Sequence, residues 1–128
     1  MGWAVEACSP TSLVTALRNE EKRIHPRRPV ALTAHCRIGN RFCKEAIADL
    51  SQGGLYMRTR ELAAEGTPVR VALALPYADG PKFCTLVGCV ARVDRDPKGR
   101  LLGLGVSFDA KQTALHDRST LSHFIAAA

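Results

Sequence analysis

Val30-Ala31-Leu32-Thr33-Ala34-His35-Cys36-Arg37-Ile38 alternates without a break. Val30, Leu32, Ala34, Cys36 and Ile38 fall on one parity. Ala31, Thr33, His35 and Arg37 fall on the other. That is the period of a β-strand with one buried face. Working outward, Gly39-Asn40 supplies a turn, and residues 41–49 form a second strand ending at Asp49-Leu50-Ser51-Gln52-Gly53-Gly54. Residues 54–59 make a short third strand, and Glu65-Gly66-Thr67-Pro68 breaks the chain. Val69, Val71, Leu73 and Leu75 alternate as a fourth strand. After a loop at 77–81, residues 82–95 form a long strand with apolar residues on both parities, where Gly88 suits a bend or bulge. Asp96-Pro97-Lys98-Gly99 is a turn, and Leu102, Leu104, Val106 and Phe108 alternate with Gly103, Gly105 and Ser107. Six strands with turns between them and no helix among them imply an all-β fold, an antiparallel barrel.

Helical signals lie at the two ends. Ser9 can cap and Pro10 can open a helix over 9–22, with a narrow apolar stripe at Leu13, Val14 and Leu17. Asp109 and Gln112 fit a capping box. The helix expected there, 110–126, has an apolar side of Leu115, Leu121, Phe124 and Ile125 and suits an open barrel end. The chain therefore divides into an N-terminal helical extension (1–22) and a domain over 23–128. That domain comprises an arginine loop at 22–29, a barrel at 30–109 and the C-terminal helix.

At 128 residues and 46% apolar content the chain has room for one modest core. No apolar run approaches the ~18 residues of a membrane span. The first residues lack a basic n-region, which speaks against a signal peptide. The net charge of +6 favours an anionic partner. Five cysteines, an odd number with no CxxC pair, argue against a disulfide framework or a zinc site. They read as small buried hydrophobes in a reducing cytoplasm. The four histidines are scattered, and no phosphate-binding P-loop or GxSxG elbow is present. The composition points to a binding module, not an enzyme.

Two motifs carry the binding chemistry. Arg23-Ile24-His25-Pro26-Arg27 places two arginines three residues apart. Pro26 and Pro29 forbid a helix there and hold the arginines on an extended loop of up to about 13 Å. Guanidinium forks suit phosphates and the O6/N7 edge of guanine. Asp49, Ser51 and Gly54 then offer a carboxylate for guanine N–H groups, a hydroxyl, and a glycine that admits a flat base. RxxxR alone is weak, since Arg37-Ile38-Gly39-Asn40-Arg41 also fits it. A self-bonded turn is the plainer reading of Asp49 and Ser51 taken alone.

In this order the two motifs resemble the PilZ domain family, whose RxxxR and (D/N)xSxxG motifs bind cyclic di-GMP. The resemblance extends over roughly residues 20–126, and Gly105-Val106-Ser107-Phe108 looks like that family's last strand. It implies a bacterial, cytoplasmic receptor that binds cyclic di-GMP without further cofactor or metal. Such a receptor relays the messenger's level to a protein partner in motility, polysaccharide or virulence pathways. It implies Arg23, Arg27, Asp49, Ser51 and Gly54 as the ligand-binding set, with Lys22, Arg28 and Gly53 as secondary. Lysine at 22 stands where many members carry a further arginine, and it lacks the planar fork. The response is expected over residues 18–29 and in the 49–54 turn, with the C-terminal helix little changed. Two other readings remain. One is a small basic barrel binding single-stranded nucleic acid, although Phe42, Tyr56 and Tyr77 make no stacking row. The other is a PilZ-like protein-interaction adaptor that does not bind nucleotide.

Overall fold

The alternating stretch is strand β1 (Arg28–Ile38) in a computed structural model that describes residues 27–127. The helix expected over 9–22 lies outside those residues. Then follow β2 (Arg41–Leu50), β3 (Gly54–Arg58), β4 (Pro68–Tyr77), β5 (Gly80–Arg95), β6 (Leu101–Phe108) and a helix, α1 (Leu115–Ala126). The six strands close an antiparallel barrel in the order β1-β2-β3-β6-β5-β4. The barrel closes between β1 and β4, which pair over His35–Ile38 and Val69–Ala72. In β1 and β4 one parity fills the interior: Ala34, Cys36 and Ile38 from β1, and Val69, Val71, Leu73 and Leu75 from β4, are all buried; β5 is buried on both parities from Leu86 to Ala91. Thr33, His35 and Arg37 face solvent, as the alternation predicts.

All strand ends near the Asp49–Gly54 turn belong to one mouth of the barrel, where β1 and β3 begin, β2 and β6 end, and β4 turns into β5. Helix α1 lies there. Its Leu121, Phe124 and Ile125 join the barrel interior in one core cluster. Polar ties reinforce the packing. The Arg28 guanidinium donates to the Phe124 carbonyl at 2.6 Å and lies 3.9 Å from the Phe124 ring centre, a cation–π contact. The Tyr77 hydroxyl donates to the Thr120 carbonyl, and the Cys84 thiol to the Asp117 carbonyl at 3.4 Å.

The approach to α1 differs from the capping-box expectation. Asp109 closes a turn instead: its carbonyl accepts from the N–H groups of Gln112 and Thr113, and its Oδ1 from Lys111 at 2.9 Å. With Asp109 so occupied, the helix starts only at Leu115, after an Ala114 cap that offers no side-chain bond. Leu115 is 69% exposed, and Thr120 takes its place on the buried side. The Thr113 hydroxyl both accepts from the Val87 N–H and donates to the Val87 carbonyl, each at 3.2 Å, pinning the connection to β5. Gly88 is not the bulge in β5, since the register shifts fall between Val90 and Arg92 and between Asp94 and Arg95. Gly88 is required by proximity: a Cβ there would collide with the Ser107 carbonyl of β6.

Cys36 and Cys84 are buried, and burial pushes each thiol up to about 12. Cys43 is half-buried and rises to about 11, through burial and then the nearby Glu45 carboxylate. Thiols held protonated at neutral pH are poor nucleophiles and poor metal ligands, and pack as small apolar groups.

Candidate functional site

A bulge aims Asp49. Strict alternation from the buried Ile47 would turn Asp49 into the core. In the β2–β3 ladder, however, Ile47 pairs with Met57 and Asp49 with Tyr56, which leaves Ala48 as an extra residue. The inward set therefore jumps from Ile47 to Leu50, and Asp49 points outward. Bulges commonly re-aim a side chain beside a site in this way. Asp49 Oδ1 there accepts a hydrogen bond from Arg27 at 3.0 Å, an ion pair with side chains 22% and 28% exposed. The last arginine of the first motif and the first residue of the second are thus in direct contact across 22 residues of chain.

The ladder also separates the two neighbouring arginines. Arg28 pairs with Leu50 and Pro29 with Asp49, and cross-strand partners share a face. Arg28 accordingly goes to the mouth and grips α1 instead of joining Arg27. Lys22 and Arg23 lie outside the described residues.

Ser51 is buried and serves its own turn. Its Oγ accepts from the N–H groups of Gly53 and Gly54 at 3.2 and 3.1 Å, and its hydroxyl lies 3.2 Å from the Gly54 carbonyl. This is the self-bonded arrangement that hydroxyls favour in turns, and the Ser51 hydroxyl faces the backbone. Gly53 and Gly54 are also not among the described glycines with positive φ. Gly54 is needed because a Cβ would strike the Val106 carbonyl of β6.

Around this turn opens a cavity of about 530 Å³, a volume typical of small-molecule sites. Arg27 and residues 51–55 form one part of its lining, β5 and β6 a second, and α1 a third. Among the described residues three arginines line it, Arg27, Arg92 and Arg118, and no aspartate or glutamate does. Arg92 lies along Gly105, where an added Cβ would come 3.4 Å from the Arg92 Cβ and 3.6 Å from its Nε. The glycine thus makes a floor for the arginine. Arg92 and Arg118 were not among the residues expected from sequence. Arg92 carried a signal, a cation directly after the apolar run from Leu86 to Ala91. Arg118 carried none, because its place depends on how the helix docks. With three guanidinium groups, neutral Ser and Gln side chains and an apolar floor at Leu55 and Val106, the cavity suits an anion with a flat organic part.

The PilZ domain model matches residues 21–127. Two solved structures share the fold. One is the Bacillus subtilis inhibitor of motility MotI/DgrA, with a TM-score of 0.68 and 17% identity, over 82% of this chain and 50% of that one. The other is the Borreliella burgdorferi PlzA protein in complex with c-di-GMP, with a TM-score of 0.52 and 18% identity, over 88% of this chain and 44% of that one. This chain thus spans about half the length of either. No curated protein matches the sequence. Among the described residues no helix is long and apolar enough to cross a membrane. The chain belongs to the PilZ domain family.

Proposed function

We propose that this protein is a cyclic di-GMP receptor that binds the dinucleotide reversibly beside the Asp49–Gly54 turn and passes its occupancy to a protein partner. The observation that carries the reading is the Arg27–Asp49 contact, which unites the two motifs at the edge of an arginine-lined cavity. A partly exposed pair of this kind is worth at most about 1 kcal/mol. A ligand can therefore compete for either partner at small cost: phosphate or guanine O6/N7 for Arg27, guanine N–H groups for Asp49. Ser51 and Gly54 act through the turn they build, and Arg23 completes the arginine pair. The site needs no metal or cofactor for this role. Such a receptor would work in the bacterial cytoplasm, where the messenger is made.

Single-stranded nucleic acid has less support. Binding it needs adjacent exposed aromatics. Among the described residues Phe42 and Phe83 are the most exposed rings, and they sit on β2 and β5, which are not neighbours in the barrel.

Calorimetric titration tests the reading. Cyclic di-GMP is expected to bind with a Kd of about 1 μM or tighter, near −8 kcal/mol, and far more tightly than GTP or GMP. No heat and no thermal shift in a large excess of cyclic di-GMP would reject it. Binding of single-stranded RNA or DNA with a steep salt dependence would replace it.

A further inference from the structure

Helix α1 supplies Arg118, Ser119, Leu121 and Ser122 to the cavity, so the wall facing solvent on that side is helix and not barrel. Arg118 and Ser122 are one turn apart, as are Ser119 and Ser122, which puts these polar groups on one stripe. The stripe already touches the family turn, since Gln52 Nε2 donates to Ser122 Oγ at 3.2 Å. Arg118 is exposed, and among the described residues it has no carboxylate within salt-bridge distance. The backbone carbonyl of its neighbour Asp117 accepts from the Cys84 thiol, and the Asp117 carboxylate lies near enough to that thiol to push it up. A cation in the opening turns of a helix also opposes the helix dipole. A phosphate beside it would reverse that penalty, because both the guanidinium and the helix N-terminus favour an anion.

We infer that Arg118 is a further ligand-contacting residue: it takes one phosphate of the bound cyclic dinucleotide, so that the ligand ties the Asp49–Gly54 turn to α1. The inference rests on the receptor reading above and deepens it. A dinucleotide carries two phosphates, and a site with cationic forks on two separate elements can hold both. Binding then becomes a change in how firmly α1 is held at the barrel mouth. That helix is otherwise fixed by Arg28, Tyr77 and the packing of Leu121, Phe124 and Ile125. The sequence reading expects the C-terminal helix to be little changed; on this inference it responds to ligand. Output passes through α1 as well as through the arginine loop.

The test compares wild type with Arg27→Ala, Arg118→Ala, Arg118→Lys and Arg70→Ala by calorimetry with cyclic di-GMP. Arg70 is an exposed arginine on β4, a strand that contributes nothing to the cavity lining, and serves as the control for diffuse charge. Arg118→Ala is expected to weaken binding about tenfold or more with an unchanged melting temperature in the free protein. Arg118→Lys should recover part of the loss, since it keeps the charge without the fork. Ligand should slow amide exchange over residues 115–122 in wild type and not in Arg118→Ala. An Arg118→Ala affinity within about twofold of wild type, while Arg27→Ala loses tenfold, overturns the inference and leaves the receptor reading standing. Equal losses at Arg70 and Arg118 overturn it too, because net charge alone would then explain them. Absence of binding by wild type would instead strike the receptor reading itself.

Discussion

Two turns of this barrel look alike in sequence and behave differently. Asp96-Pro97-Lys98-Gly99-Arg100 joins β5 to β6 at the mouth away from α1, and Asp49–Gly54 joins β2 to β3 at the mouth that α1 covers. Each begins with an aspartate and contains glycine. Asp96 spends its carboxylate on its own turn: Oδ1 accepts from the N–H groups of Lys98 and Arg100 at 2.9 and 2.8 Å, and Oδ2 from Arg100 Nε at 2.9 Å. Gly99 completes it at φ 83°. At the other turn a hydroxyl does the local work. Because Ser51 takes the Gly53 and Gly54 N–H groups, Asp49 is free of its own loop and reaches Arg27. A turn capped by its serine can lend its carboxylate to something else, and a turn capped by its aspartate cannot.

The largest effect that tests this difference is steric. Gly54→Ala would press a methyl group onto the Val106 carbonyl inside the β3–β6 ladder. It is expected to cost on the order of 3 kcal/mol in urea denaturation. Gly99→Ala meets no atom within 4 Å and pays only for its positive φ, about 1–2 kcal/mol. Equal costs would mean that Gly54, like Gly99, is a conformational glycine. Next comes Ser51→Ala, which leaves two N–H groups of a part-buried turn without their acceptor. About 2 kcal/mol of stability should be lost, and affinity with it, as the turn loosens. Unchanged stability would show that water replaces the hydroxyl and that the turn does not depend on it.

Asp49→Ala separates binding from folding. Its ion pair is partly exposed, so stability should fall by less than about 1 kcal/mol. Cyclic di-GMP affinity should fall about tenfold or more, from the loss of a charged hydrogen-bond partner worth about 1.5–3 kcal/mol. Arg27→Ala should behave alike. Arg41→Ala, which breaks only an exposed pair with Glu61, should leave affinity as it was. Loss of stability at Asp49 as large as at Ser51 would erase the distinction between a lent carboxylate and a structural one.

Strands β1 and β4 were legible because each buries one parity, and alternation reports that directly. Val30 to Ile38 and Val69 to Leu75 needed nothing more. What alternation cannot carry is the position of an extra residue. Ala48 inverts the facing of Asp49, and the break in β5 falls near Ala91 rather than at Gly88, because glycine there answers to a neighbouring strand and not to its own. The motifs named Arg27 and Asp49, which the fold brings into contact, and residue type left open which groups Ser51 would pair with in its turn. Donor and acceptor pairing inside a turn is a matter of geometry that residue type leaves open. The start of α1 was misread because Asp109 and Gln112 have capping chemistry that a turn can use equally well. Arg92 and Arg118 reach the cavity only through tertiary placement.

The smallest effect belongs to the self-contained turn, and pH is the way to read it. The Asp96 carboxyl is held below its ordinary value of 3.8, first by the Arg100 N–H and then by the Arg100 side chain and the Lys98 N–H. A lowered value in the folded state means that folding favours the ionised form. The contribution is therefore complete above the ordinary carboxylate value and is lost as pH falls through the lower folded one. Asp96→Asn keeps an oxygen that can accept the two backbone N–H groups and removes only the charge. The difference in denaturation midpoint between Asp96→Asn and wild type should be small and flat between about pH 7 and 5, and should shrink below about pH 4. Cyclic di-GMP affinity should not change, because the carboxylate touches only residues of its own turn. A midpoint difference that persists unchanged in acid would mean that geometry, and not charge, makes Asp96 the cap. A drop in affinity would mean that the two mouths of the barrel are coupled, and that a carboxylate committed to its own turn can still influence the one that is not.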